Sequence, residues 1–114
     1  MTTNDLNAME GFHIVVSPTQ SRPVSGVFCC DMLSLAMSRG IEGAAWVTVM
    51  GNVNTLAVCK LTDMSCIVLA EGVQPDDRMQ QKAAEEGIPV FTTDLPVFEA
   101  ALRIHTALSA KAAS

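Results

Sequence analysis

Charge is scarce in this sequence. Asp, Glu, Lys and Arg together make up 17% of its 114 residues, against about 25% in an ordinary soluble domain. A surface so short of charge suits a protein that covers part of itself with a partner. The seven basic residues, Arg22, Arg39, Lys60, Arg78, Lys82, Arg103 and Lys111, are scattered among twelve acidic ones, for a net charge of −5. That spread excludes a nucleic-acid groove or a patch for an anionic membrane. Long apolar runs are also missing. The longest uncharged stretch, 43–59, is broken by Thr48, Gly51, Asn52, Asn54 and Thr55, whereas a membrane span needs about 20 mostly apolar residues. Residues 1–5 have neither a positive nor an apolar segment, so no secretory leader is expected and the chain is placed in the cytoplasm. Cys29, Cys30, Cys59 and Cys66 form no C-x-x-C pair and fall in apolar runs. They are expected to be buried, reduced thiols.

Signatures of catalysis are absent as well. There is no G-x-x-x-x-G-K-[ST] loop, no G-x-G-x-x-G after a strand, no H-E-x-x-H and no G-x-S-x-G. His13 and His105 lack a second ligand at metal spacing, and the adjacent Cys29 and Cys30 point to opposite faces of a strand. No metal and no cofactor are expected. The seven methionines read as packing residues. Because no nucleophile–base or acid–base pair can be placed, an enzyme is not expected.

What the sequence does have is a β–α rhythm. Apolar runs at 12–16, 24–30, 45–50, 66–70 and 88–91 read as strands, and the starts at Ala45, Cys66 and Ile88 are 21 and 22 residues apart. Those separations leave room for parallel crossovers through helices. After a short amphipathic piece at 5–10 closed by Gly11, helices are expected at 32–39 with Asp31 as N-cap and Gly40 at the end. A second is expected at 53–61, capped by Asn52, with Val53, Leu56, Ala57 and Lys60 on one face. A third runs to about Glu86 from a cap near Asp76, with Gly87 as its left-handed terminator. The last follows Asp94, with Pro96 in its first turn. Length and rhythm give one α/β domain, a small mostly parallel sheet of four or five strands flanked by helices. Its core spans about 5–108, with a frayed tail at 109–114.

In such a fold the polar residues that follow each strand line one carboxyl edge, where open α/β sheets hold ligands. A small anion, nucleotide or other phosphate-bearing, is therefore expected near Asn52, Asn54, Thr92 and Thr93, with backbone N–H groups of helix N-termini as donors. Asp31, Asn52 and Asp94 are equally the residue types that simply cap helices.

Several segments, taken in order, resemble the DRTGG domain family: Ser21-Arg22-Pro23-Val24-Ser25-Gly26-Val27 with Cys30-Asp31-Met32-Leu33-Ser34, Trp46-Val47-Thr48-Val49 with Asn52-Val53-Asn54, Gly72-Val73-Gln74-Pro75-Asp76, and Gly87 through Leu95 with Phe98-Glu99. The resemblance covers about 5–108. Of the name-giving motif, Arg22 and Gly26 stand unchanged, while Ser21, Ser25 and Val27 replace its other members. The resemblance implies a fold similar to the N-terminal domain of HPr kinase and to a domain of Mur ligases. It also implies a stand-alone regulatory or dimerising module without a catalytic role, and it adds Arg22, Ser25 and Gly26 to the candidate ligand residues.

A homodimer is the expected assembly. In the last helix Val97, Ala101, Ile104 and Leu108 adjoin a second row, Phe98, Leu102 and His105, and the combined stripe is wider than the roughly 100° arc that one core needs. Phe98, Leu102 and His105, together with Val24 and Phe28, are the candidate interface.

Overall fold

Strands that bury both faces need a helical layer on each side, and the burial pattern here meets that condition. The computed structural model describes residues 1–18 and 20–113. Its elements are α1 (Thr3–Asn7), β1 (His13–Val16), β2 (Gly26–Cys29), α2 (Leu33–Arg39), β3 (Ala44–Thr48), α3 (Val53–Thr62), β4 (Cys66–Leu69), α4 (Asp77–Glu86), β5 (Val90–Thr92) and α5 (Val97–Ala113). Every residue of β3, β4 and β5 is buried. Alternate residues serve opposite cores: Ala44, Trp46, Ile67, Leu69 and Val90 pack with Ala36, Leu56, Met79 and Ala83 of α2, α3 and α4. Ala45, Val47, Cys66, Val68 and Phe91 pack with Leu6, Ala100 and Ile104 of α1 and α5. Continuous apolar runs in the sequence therefore mean strands covered on both sides.

The sheet order is β1-β5-β4-β3-β2. β2 through β5 are parallel, and β1 runs antiparallel against β5 at one margin. This is the α/β architecture the spacing predicts. Local chemistry explains much of it. Thr2 and Asp5 form a reciprocal capping box that starts α1, Asn52 and Asp76 cap α3 and α4, and Gly87 ends α4 at φ 70°.

Three expectations change. The buried face of α3 is Thr55, Leu56, Val58 and Cys59, while Ala57 and Lys60 are exposed. This helix touches α2 on one side and α4 on the other, so it buries a broader arc than a single stripe. Cys59 and Cys66 are buried free thiols, but Cys29 is exposed and Cys30 half-buried, because β2 is a margin strand. Residues 109–113 continue α5, with Lys111 Nζ 3.6 Å from the Asp5 carboxylate; Ser114 of the expected frayed tail lies outside the described residues.

Between β1 and β2, at opposite margins, the chain must cross the whole sheet. Residues 20–25 do so beneath the amino ends of the strands, and the crossing is tied at each step. The Arg22 N–H donates to the buried Thr3 hydroxyl at 3.0 Å, the Ser65 hydroxyl donates to the Pro23 carbonyl, and the Ser25 N–H donates to the Gly43 carbonyl at 2.9 Å.

Candidate functional site

The candidate residues divide between the two ends of the sheet. Asn52, Asn54, Thr92 and Thr93 follow β3 or close β5 at the carboxyl end, whereas Arg22, Ser25 and Gly26 belong to the strap and the start of β2 at the amino end. The structure does not bring the two groups together.

At the carboxyl end, polar side chains are bonded to the chain itself. Asp31 does not cap α2; Met32 holds that position without a side-chain bond. The Asp31 carboxylate instead accepts from the buried Thr48 hydroxyl at 2.7 Å and from the Val49 N–H at 2.9 Å, tying the end of β2 to the end of β3. Asn52 accepts from the Asn54 N–H at 3.0 Å, and the Thr55 hydroxyl donates to the Met50 carbonyl at 2.7 Å. Thr92 and Thr93 are buried. The Thr93 hydroxyl accepts from the Leu95 N–H at 3.2 Å. Asn52 and Thr93 also lead from strands separated by β4, about 10 Å apart at sheet spacing, so they do not converge.

Asp94 likewise does not cap α5. The N–H of Val97, at the start of that helix, donates to the Glu71 carboxylate at 2.9 Å. Open α/β sheets form a crevice where neighbouring strands send their helices to opposite faces. Here that point lies between β4, which leads to α4, and β5, which leads to α5 on the other face. Glu71 and Gly72 fill it. Both adopt positive φ, 60° and 74°, and their N–H groups donate to the Leu95 and Thr93 carbonyls at 2.9 and 3.0 Å. The favourable place for an anion at a helix N-terminus is thus taken by a carboxylate from the protein. The sequence places Glu71 with the polar residues of the carboxyl edge, since it follows the apolar strand at 66–70, but nothing local shows its reach to Val97.

At the amino end, a groove of about 650 Å³ is lined by Pro23, Val24, Ser25, Gly26, His105 and Leu108, among others. A smaller hollow of about 130 Å³ lies between Arg22, Cys59, Asp63 and Glu86. The Arg22 guanidinium stands 3.8 Å from Asp63, with 32% and 69% of the two side chains exposed. Burial pushes the Cys59 thiol up to about 12, with Arg22 opposing and Asp63 adding to the rise. Burial also drives the Cys66 thiol upward. At the other end of the sheet the Cys29 thiol is raised by partial burial and by the nearby Asp31 carboxylate.

Of the interface candidates, Phe98 is 73% exposed and Leu102 47%, and His105 is exposed with them. Ile104 and Ala100, on the other side of α5, are fully buried. Val24 is corrected: at 2% exposure it belongs to the core that α5 covers and offers no contact surface. Phe28 is half-buried, its ring 6.4 Å from that of Trp46.

A three-layer α/β domain with its signature segment strapped across the amino end matches one known family. The family model of the DRTGG domain covers residues 6–107, so the chain belongs to the DRTGG domain family. No curated protein matches it.

Proposed function

We propose that this DRTGG domain is a non-catalytic regulatory module that works as a homodimer, in the cytoplasm, with α5 carrying part of the contact. The observation that supports this reading is the outer row of α5. Phe98, Leu102 and His105 recur at four- and three-residue intervals, so they share one face of the helix. Phe98 alone keeps 73% of its surface in water, and a packed aromatic contributes more to an interface than almost any other residue. The four free thiols agree with a reducing compartment. Light scattering over a micromolar concentration series tests the proposal. The expected mass is twice the 12.1 kDa of one chain, shifting to the single-chain value in the double substitution Phe98→Glu, Leu102→Glu. A mass of 12.1 kDa at every concentration overturns it.

A second reading, a sensor for a small phosphate-bearing anion at the carboxyl end, draws on the convergence there of four parallel strand ends and on the exposed Asn54 in the first turn of α3. A thermal-shift screen with inorganic phosphate and nucleotides tests it. A ligand at 100 times its Kd stabilises the fold by about 2.7 kcal/mol, and loss of that shift in Asn54→Ala would locate it at the start of α3.

A further inference from the structure

The larger groove at the amino end is built from walls that other bonds already hold in place. One wall is the strap with the start of β2, and the other is the C-terminal part of α5, which packs over β2. In the strap, the Val24 N–H donates to the Met1 carbonyl at 2.8 Å and the Ser25 N–H to the Gly43 carbonyl at 2.9 Å. The Pro23 carbonyl accepts from the Ser65 hydroxyl. The helix wall is anchored by the fully buried Ile104 and by the pair between Lys111 and Asp5 at 3.6 Å. Ligand sites are usually largely formed in advance, with volumes of about 300–1,000 Å³, and at about 650 Å³ this groove meets both conditions.

Its lining combines two chemistries. Pro23 and Leu108 supply apolar surface, whereas the Ser25 hydroxyl, the His105 imidazole and the Lys111 ammonium can all donate hydrogen bonds. None of the described lining residues is acidic, in a chain whose twelve acidic residues outnumber its seven basic ones. The side chains of Ser25 and His105 make no hydrogen bond to another described residue, in contrast to Asp31, Thr93 and Glu71 at the carboxyl end. His105 and Lys111 stand about 9 Å apart along the helix, with Leu108 between them. Gly26 adds a second observation. Its φ is outside the left-handed region, and a Cβ placed on it finds no heavy atom within 4 Å. Nothing inside the subunit requires glycine at a position where it weakens a strand. The open space beside it is this groove, and a glycine within a strand often marks the place where a ligand approaches the backbone.

We propose that the groove between the strap and α5 is a binding site for a small organic anion, a carboxylate or phosphate ester carrying an apolar body. The anionic group takes hydrogen bonds from the donors of α5 and from Ser25, and such bonds to a charged acceptor are the stronger kind. The apolar body lies against Pro23 and Leu108, over the bare backbone of Gly26. Inorganic phosphate satisfies only the first requirement and a neutral apolar molecule only the second, so the site selects for the two together. The site is complete within one copy and does not rest on self-association. It lies at the opposite end of the sheet from Asn54, so it is also distinct from the second reading above.

Amide chemical-shift titrations of the full chain test the site with four probes: octanoate, phenyl phosphate, inorganic phosphate and benzyl alcohol. Octanoate or phenyl phosphate should move the amides of Ser25, Gly26, His105 and Leu108 saturably, with a Kd in roughly the millimolar range. Whichever of the two binds more tightly tells a carboxylate from a phosphate ligand. Inorganic phosphate and benzyl alcohol should bind at least about tenfold more weakly. Gly26→Val fills the groove with a residue that suits a strand, so it should abolish saturable binding without lowering the melting temperature. His105→Ala should raise the Kd about tenfold by removing a donor to the anion. Binding should persist in the Phe98→Glu, Leu102→Glu variant, which separates this site from the dimer contact. The proposal falls if neither organic anion gives a saturable shift, if the shifts centre on Asn54 at the carboxyl end, or if Gly26→Val binds as the wild type does. Should Gly26→Val not fold, an unchanged Kd in His105→Ala overturns the site instead.

Discussion

At the carboxyl end of the sheet, Asp31, Thr48, Asn52, Thr55, Glu71 and Thr93 are all bonded to the chain itself. At the amino end the strap at 20–25 spans the strand starts, with grooves on either side of it and two buried thiols close by. The contrast shows how far a fold-level rule carries. Parallel strands do deliver their polar residues to one end, as the rule for ligand crevices requires. In this chain, however, those residues close loops and stabilise a helix N-terminus, and two grooves lie at the opposite end, beside the family's signature segment.

The largest expected effect distinguishes the ends by their thiols. Cys59 and Cys66, toward the amino end, have folded-state values above the ordinary thiol value. A group whose folded pKa is raised contributes stability that is complete below its unfolded pKa and is lost as pH rises above it. Unfolding free energy measured by urea denaturation should thus hold to about pH 8.5 and then fall by about 1.4 kcal/mol per pH unit for each thiol. The chain has no tyrosine, so no phenol contributes to this slope. In Cys66→Ala the slope should lessen by that one thiol's share, about 1.4 kcal/mol per pH unit. A flat profile from pH 9 to 11 would show that the thiols are not held protonated by burial. Maleimide labelling of the native protein should reach Cys29 first, since it is exposed.

A smaller effect is expected from Asp31→Ala at the carboxyl end. The substitution leaves the buried Thr48 hydroxyl and the Val49 N–H without their acceptor, and a buried group so orphaned costs about 1–3 kcal/mol. Adding Thr48→Val removes one of the orphans, so the double variant should regain part of the loss. Urea midpoints for the wild type, the two single variants and the double variant supply the cycle. Strict additivity would mean that Asp31 and Thr48 do not interact.

These two ends also separate what could be read from sequence from what could not. Asn52, Asp76 and Gly87 were legible because a cap bonds within a few residues of itself. Asp31 has the same local chemistry, yet its partner Thr48 lies 17 residues away and outcompetes the local N–H groups. Glu71 reaches 26 residues to Val97, displacing Asp94 from the role its position suggests. β1 illustrates the same limit, since its apolar pattern fits either direction and only its partner β5 makes it antiparallel. The strands and their order of appearance follow from local pattern. Their pairing, and the fate of each polar residue at their ends, follow from contacts distant in sequence.

The smallest effect concerns Arg22, the basic residue shared with the family motif. Its side chain faces Asp63 at 3.8 Å with both groups substantially in water, and exposed pairs of this kind contribute about 0–1 kcal/mol. Its main chain does more. The Arg22 N–H donates to Thr3 Oγ1, and the Arg22 carbonyl accepts from the Thr3 N–H at 2.8 Å, with Thr3 only 1% exposed. Truncating Arg22 leaves those bonds in place, whereas Thr3→Val deprives a strap N–H of its acceptor. Arg22→Ala should therefore lower stability by under about 1 kcal/mol, an effect that shrinks further in 1 M salt as screening shortens to about 3 Å. Thr3→Val should cost about 1–3 kcal/mol and be insensitive to salt. A cost above about 2 kcal/mol for Arg22→Ala would show instead that the arginine side chain, and not the main chain beneath it, holds the strap across the amino end.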